Sequence, residues 1–442
     1  MELTILLVSL LLSVQTVSPC LLESERHGGH IQRQRSAPYV RRQSSNDTLP
    51  PIPVARGDRF QGGKLIPQGL GLQAEGAKIE SILNLDEIHS GMAGLAREFN
   101  IELIEAPVKT YENRTIVGAR AAGKDGKVRA MIEANIHARE RGGPDHVLYF
   151  LADLLSAGRT GRGVTFGGVS YTHAQVRTVL DLGLLVLPTV NPDGLAYDLA
   201  TDKCWRKNRN PKSANATKPD SIGVDLNRNF DFLWDFEKEF APHTHPASAQ
   251  PGALDFHGTA AFSEPETRAI KWFLDQHPDL GWFMDLHSAA GVVLYPWGDD
   301  SNQSVDPGNS FANTSADSIR GIVPDTANAT YQSYMLRADA DVYALIGSNM
   351  VNRMADSTGT VYAVTQSVHL YPTSGSSVDY VYARHLRDPT KGKVFGFGIE
   401  FGQGNEDNPD CIFYPTVSRH NSNIVEVAVG LMEMLLGATQ YS

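Results

Sequence analysis

From about residue 75 onward the chain alternates between two kinds of apolar spacing. Ile82, Leu85, Ile88, Met92, Leu95 and Phe99 recur every three or four residues, the period of a helix with one buried face. Residues 128–136 are β-branched or apolar enough for a strand. Val147, Leu148, Phe150, Leu151, Leu154 and Leu155 then form a second helical stripe, with Pro144 near its first turn. Further strands are predicted over residues 182–187, 280–286 and 393–400. Ser263-Glu264-Pro265-Glu266 reads as a capping box opening a helix, and residues 423–436 close the chain as an amphipathic helix. Strands and helices alternate, so the class is α/β. No internal repeat is visible.

The N-terminal stretch before it follows different rules. Leu3 to Leu12 is almost wholly apolar, and the small residues Ser13, Thr16 and Ser18 follow, so residues 1–20 read as a secretory signal. The run is too short for a membrane span, and no longer one occurs. Residues 21–68 lack periodicity, carry the dibasic pair Arg41-Arg42, and read as a mobile leader or short pro-segment. Residues 69–442 are then one folded domain. Six Asn-x-Ser/Thr sequons, at Asn46, Asn113, Asn215, Asn302, Asn313 and Asn328, agree with a secreted, extracellular glycoprotein. Three of them fall in the polar stretch 302–330, which reads as a surface insertion. With Cys20 at the signal boundary, Cys204 and Cys411 remain as an even pair, either one disulfide or two buried thiols. The net charge of −11 leaves no basic stripe for phosphates and excludes nucleic acid as a partner. A monomer without stable membrane insertion is expected.

The chemistry is concentrated at strand ends. His137-Ala138-Arg139-Glu140 follows the strand over residues 128–136, and His287 ends the strand over 280–286. Sites in open α/β sheets form at the carboxyl ends of strands. Two His and one Glu suit zinc, and three protein ligands leave a fourth position open, as in a catalytic site. Water in that position can reach a pKa of about 7, which points to hydrolysis. Taken alone, a His-x-x-Glu pair is far more often an ordinary surface-loop pair. Other motifs accompany it: Asn191-Pro192-Asp193-Gly194, which reads as a turn, Trp205-Arg206-Lys207-Asn208-Arg209, residues 223–230 (GVDLNRNF), the Gly/Ser loop from Tyr371 to Asp379, and Glu400 at the end of an apolar strand.

In this order the motifs HARE, NPDG, WRKNR, GVDLNRNF, HGTAAFSEPET, DLHS, YPTSGSSVD and GIEF resemble the zinc carboxypeptidases of the carboxypeptidase A family, over roughly residues 75–440. The resemblance implies a three-layer α/β/α sandwich around a mixed, mainly parallel eight-stranded sheet. It implies one zinc per chain on His137, Glu140 and His287, with Glu400 as general base and Arg206 stabilising the oxyanion. Asn227 and Arg228 match the pair that grips a terminal carboxylate, Tyr371 the tyrosine that closes over it, and Arg139 an accessory arginine for upstream residues. Val378, Gln366 and Gly298 match the lining of the pocket for the departing side chain. Asp225 and Asp379 read as caps or supporting groups rather than reacting ones.

Zinc-assisted release of single C-terminal residues from peptides and proteins follows from that match. Val378 offers no countercharge to a Lys or Arg side chain, so hydrophobic and aromatic residues are the expected preference. Two departures affect the site. Arg141-Gly142-Gly143 replaces the aromatic that many members place after the glutamate, and Ala289 stands where digestive members have Tyr. Their large folded pro-domain has no counterpart in residues 21–68. A zinc amidase or endopeptidase acting on cell-wall peptides is a rival of the same fold, against which Asn227-Arg228 speaks. A catalytically inactive binding homologue is another, against which Glu400 and the full ligand set speak.

Overall fold

The computed structural model describes residues 49–214, 221–323, 331–408 and 410–441. The expected signal segment 1–20, Cys20, Arg41-Arg42 and the sequons at Asn46, Asn215 and Asn328 lie outside the described residues.

Eight strands form the central sheet: β1 (Glu102–Lys109), β2 (Thr115–Ala121), β3 (Ala130–Ala134), β6 (Leu184–Leu187), β7 (Trp282–Ser288), β8 (Val292–Tyr295), β11 (Ala363–Gln366) and β12 (Phe395–Phe401). Two short pairs complete the strands, β4 (Val164–Phe166) with β5 (Val169–Tyr171), and β9 (Asn302–Gln303) with β10 (Ser333–Tyr334). The order across the main sheet is β1-β2-β6-β3-β7-β12-β8-β11. The four central strands β6, β3, β7 and β12 run parallel, and β1, β2 and β8 join antiparallel. This is the mixed, mainly parallel eight-stranded sheet of an α/β/α sandwich. The central strands are buried on both faces, which is why they read as mainly apolar runs rather than alternating ones. Edge strand β1 has only Ala106 buried.

The described helices are α1 (Leu85–Phe99), α2 (Gly143–Thr160), α3 (His173–Leu182), α4 (Pro192–Thr201), the short α5 (Phe236–Glu239), α6 (Pro265–Gln276), α7 (Arg337–Thr358), α8 (Ser377–Arg387) and α9 (Val417–Ala438). Residues of β12 separate the two helical layers by their alternation. Phe397 and Ile399 meet α7 at Gly347 and α9 at Gly430, whereas Gly396 and Gly398 meet Val381 and Val378 of α8. A Cβ at Gly396 would lie 2.7 Å from Val381 Cγ2, so only glycine lets α8 approach this closely. By the same alternation Glu400 belongs to the α8 face. That seats the amino end of α8 over the carboxyl ends of β7 and β12.

Several expectations change on contact with the structure. Ser263 does not cap α6: the N-cap is Glu264, with no side-chain cap bond, and Ser263 Oγ instead donates to Glu264 Oε1 at 2.8 Å. The groups that a capping box would use are engaged elsewhere: Ser263 Oγ accepts from Asn229 Nδ2 at 2.9 Å, Ser263 N–H donates to Ala260 O at 3.0 Å, and Glu266 Oε2 accepts from Asn208 Nδ2 at 3.0 Å. Asn191-Pro192-Asp193-Gly194 is not a free turn but the start of α4, with Asn191 as N-cap accepting from Gly194 N–H. Helix α9 begins six residues earlier than the apolar period suggests, because Thr416 caps it by accepting from Arg419 N–H. The folded body also begins before residue 69. Phe60 is in the core, Arg59 pairs with buried Glu87 at 2.6 Å, and Ile52 N–H donates to Pro415 O at 2.7 Å. The described part of the stretch 302–330 is more than a polar surface, since Phe311 and Arg320 are both buried in it.

Candidate active site

The chain leaves β3 through Asn135, whose left-handed φ of 63° turns the backbone sharply. Its side chain secures the turn, donating to His137 O at 3.2 Å and accepting from Thr189 Oγ1 at 2.8 Å. Asn191 Nδ2 donates to Ile136 O at 3.0 Å and Lys207 O at 3.3 Å, so the start of α4 ties the His137 loop to the Arg206 segment. Ala138 N–H donates to Arg206 O at 3.0 Å. The motifs separated in sequence are thus joined through backbone groups.

His137, Glu140 and His287 converge, all buried, with their ligand atoms within 4.8 Å of one another. Glu140 Oε1 is 2.7 Å from His137 Nδ1, Glu140 Oε2 is 3.1 Å from His287 Nδ1, and the two Nδ1 atoms are 3.2 Å apart. Each histidine turns its other nitrogen to a carboxylate: His137 Nε2 to Asp225 Oδ1 at 3.1 Å, His287 Nε2 to Asp285 Oδ2 at 2.9 Å. Those contacts fix the tautomers with both Nδ1 lone pairs facing inward, the arrangement found around metal-bound imidazoles. Burial favours protonation of Glu140, but His137 and His287 outweigh it and hold the carboxyl far below its usual range. Two imidazole nitrogens and a carboxylate facing one point, backed by two more carboxylates, fit a zinc ion.

Arg206 is buried and bonds Asp225 through Nε at 3.0 Å and Nη2 at 2.9 Å, with Glu140 Oε1 3.9 Å from its Nη1. Burial alone would raise the Asp225 carboxyl, but Arg206 first and then His137 pull it well below the ordinary value. Asp225 therefore serves His137 and Arg206 together, while also capping the short turn Leu226–Arg228. Glu400 is the parallel partner of His287 across β12 and β7, which puts both side chains on one face.

Asn227 and Arg228 follow directly. Asn227 Nδ2 is 3.3 Å from His287 Nε2, and its Oδ1 accepts from Ser377 N–H at 2.8 Å. Arg228 is only 3% exposed. Its Nη1 donates to Asn227 O at 2.8 Å, its guanidinium lies 5.8 Å from the Tyr371 ring centre, and it has no ion pair among the described residues. Arg139 is fully buried with its guanidinium 4.2 Å over the Phe413 ring. Val378 and Gly298 meet around Asp379, whose Oδ1 accepts from Gly298 N–H at 2.9 Å and whose Oδ2 accepts from Ser376 Oγ at 2.6 Å. Burial pushes the Asp379 carboxyl up to about 7. Gln366 Oε1 accepts from Asn302 N–H at 3.3 Å.

The loop altered by Arg141 is well anchored. Arg141 bonds Asp198 at 2.8 Å and Asp202 at 2.7 Å, and stacks 3.5 Å over Tyr414. Tyr414 Oη donates to Asp198 and accepts from Cys204 N–H. Cys204 and Cys411 are joined, with Cα atoms 5.6 Å apart, so the disulfide clamps this rim. Ala289 lines a shallow cleft with Ser288, Phe401 and Phe413. Of the described sequons, Asn113 is exposed at the β1–β2 turn, whereas the Asn302 and Asn313 amides are occupied by Pro296 O and Gly308 O. Two site residues escaped the sequence reading, Asp285 behind His287 and Glu133 beside it. The available signal was an acidic residue within an otherwise apolar central strand.

The zinc carboxypeptidase family matches residues 98–428 of this chain. Zinc carboxypeptidase A 1 of Anopheles gambiae is 30% identical over 303 residues, covering 67% of this chain and 56% of that protein. Thus the chain spans little more than half of the mosquito relative's length. The zinc carboxypeptidase of Simulium vittatum is 30% identical over 305 residues, 67% of this chain and 80% of that protein. Among solved structures, bovine thrombin-activatable fibrinolysis inhibitor in complex with tick carboxypeptidase inhibitor aligns with a TM-score of 0.58 at 20% identity, over 82% of this chain and 99% of the other, a likeness of fold alone. With the converged His137, Glu140 and His287 and a match over most of its length, this chain belongs to the zinc carboxypeptidase family.

Proposed function

We propose that the protein is a secreted carboxypeptidase that removes single residues from the C-termini of peptides and proteins, favouring hydrophobic and aromatic ones. The observation that carries this reading is Arg228. A guanidinium buried to 3% exposure without a carboxylate partner among the described residues is costly unless an anion completes it. Arg228 adjoins the metal cluster through Asn227, so that anion is the substrate's terminal carboxylate, with Tyr371 beside it. Zinc on His137, Glu140 and His287 would supply Lewis acidity and an acidified water. Glu400 takes the proton from the attacking water and returns it to the leaving amine. Arg206, locked to Asp225, faces the charge that develops on the scissile carbonyl oxygen. Asp379 is turned inward to Gly298 and Ser376, so the pocket beside Val378 presents no free carboxylate for a basic side chain. The joined cysteines support an oxidising, extracellular setting. No described helix is long and apolar enough to cross a membrane.

A peptide ending in Phe and its C-terminal amide test the reading directly. The free acid should be trimmed and the amide resist, and Arg228→Ala should remove the difference by raising KM for the acid. Cleavage of both at equal rates by the wild type would refute exopeptidase action. Glu400→Gln keeps the shape but not the proton transfer, so kcat should collapse with binding retained. On peptides ending in Phe, Leu, Lys and Arg, a tenfold or greater preference for the basic pair would overturn the pocket assignment.

A further inference from the structure

Arg206 and Asp225 are 19 residues apart along the chain, and one side chain spans the gap between their segments. Asn208, two residues after Arg206, is fully buried. Its backbone N–H donates to Val224 O at 3.1 Å, and its Oδ1 accepts from Val224 N–H at 2.8 Å. Val224 directly precedes Asp225. Asn208 therefore holds both the N–H and the carbonyl of the residue next to Asp225. A glycine makes this approach possible: a Cβ at Gly223, whose φ is 93°, would lie 2.3 Å from Asn208 O.

The amide has no freedom to turn. Its Oδ1 also accepts from Asn210 N–H at 3.3 Å, while Nδ2 donates to Glu264 Oε2 at 2.7 Å and to Glu266 Oε2 at 3.0 Å. An amide offers two donors and two acceptor positions, and all four are used. Backbone N–H groups can only donate, so they fix which end of the amide is oxygen. Glu264 is itself buried, and accepts from Asn210 Nδ2 and Ser263 Oγ. The amide is thus anchored at the start of α6. A side chain so placed sets the separation of the two segments. With it go the two bonds, at 3.0 and 2.9 Å, by which Asp225 aims the Arg206 guanidinium. Groups that stabilise a transition state act by being held in place, and a misplacement of about 1 Å can cost about 100-fold. Nothing in the catalytic reading uses Asn208.

We propose that Asn208 is a positioning residue, whose amide ties the Arg206 segment to Val224 and so keeps Arg206, through Asp225, aimed at the charge that develops on the scissile carbonyl oxygen. This inference rests on the reading of Arg206 as the oxyanion group. Asn208→Ala removes the bond to Val224 N–H and both bonds to α6. On a peptide ending in Phe, at saturating zinc, N208A should lower kcat about 10- to 100-fold and leave KM within about threefold. Affinity for a phosphonate analogue of the tetrahedral intermediate should fall by the same factor. Arg206→Gln supplies the second arm. If Asn208 acts through Arg206, adding N208A to R206Q should change kcat by less than about threefold, because effects that pass through one group do not add. A merely structural role would move urea unfolding and cost the same factor in both backgrounds. Wild-type kcat in N208A, a loss confined to KM, or equal losses with and without Arg206 would each overturn the inference. If N208A does not fold, Asn208→Ser, whose shorter side chain leaves Val224 N–H unbonded, takes its place with the same outcomes expected. Failure of both to fold would mark a structural role and overturn the inference too. An R206Q protein with wild-type kcat would instead sink the oxyanion reading, and the role of Asn208 with it.

Discussion

Asp225→Asn is expected to weaken the protein in two measurable ways. Asp225 is fully buried, and one carboxylate holds His137 Nε2 at 3.1 Å and Arg206 at 2.9 and 3.0 Å. The amide keeps the shape and can still accept one bond, but it removes the charge that balances a guanidinium only 2% exposed. Removing one partner of a buried pair typically costs about 3–5 kcal/mol, because the other charge is left uncompensated. Glu140 Oε1 at 3.9 Å from Arg206 retains part of that attraction in the metal-free protein, so the lower figure, about 3 kcal/mol, applies there. His137 loses its anchor as well, so zinc affinity should fall about 10- to 100-fold, or about 1.4–2.7 kcal/mol. Urea unfolding of the metal-free protein measures the first quantity, and chelator competition the second. Because Arg206 loses its aim, kcat should fall even at saturating zinc. Zinc affinity within twofold of wild type, with unfolding unchanged, would falsify the claim that Asp225 serves both His137 and Arg206.

Two further outcomes test features outside the reacting groups. The Cys204–Cys411 bond spans a sequence separation of 207, which in the chain-entropy model is worth about 5 kcal/mol at most. Cys204→Ala/Cys411→Ala should therefore lower unfolding stability by about 2–5 kcal/mol, and a loss below about 1 kcal/mol would show that the rim is held by Arg141, Asp198 and Tyr414 alone. Burial pushes the Asp153 carboxyl up to about 7, against the backbone N–H groups of Gly71 and Gly69, which act to lower it. The folded protein therefore binds this proton more tightly than the unfolded chain. The stability it contributes is full below pH about 4 and is lost as pH rises through about 7, by no more than about 4 kcal/mol. Asp153→Asn should remove that slope, and a wild-type minus mutant difference that stays flat from pH 4 to 7.5 would contradict it.

Apolar spacing, by itself, determined most of the architecture. Central strands β3, β6, β7 and β12 are covered on both faces, so their sequences are mainly apolar runs, interrupted by Glu133 in β3, Asp285 and His287 in β7 and Glu400 in β12. Helix α1 buries one stripe, which shows as a period near 3.6, whereas α2 is buried all round from Gly143 to Leu155. The zinc-facing residues were legible because His137, Glu140 and His287 end such strands, and because the ordered motifs resemble one family. Boundaries were less legible wherever a distant side chain competed for a local group. Asn229 takes the bonds that would have made a capping box at Ser263, and Asn191 caps α4 while also reaching across to Ile136 and Lys207. Tertiary structure alone decided which carboxylates stand behind the histidines. Asp225 lies 88 residues from His137 along the chain, and Glu133 meets Asp285 only through strand register. A one-residue slip in that register would turn every side chain of the strand to the other face. The pairing therefore belongs to the folded sheet, because proximity across strands depends on how they pair and not on the spacing within either one.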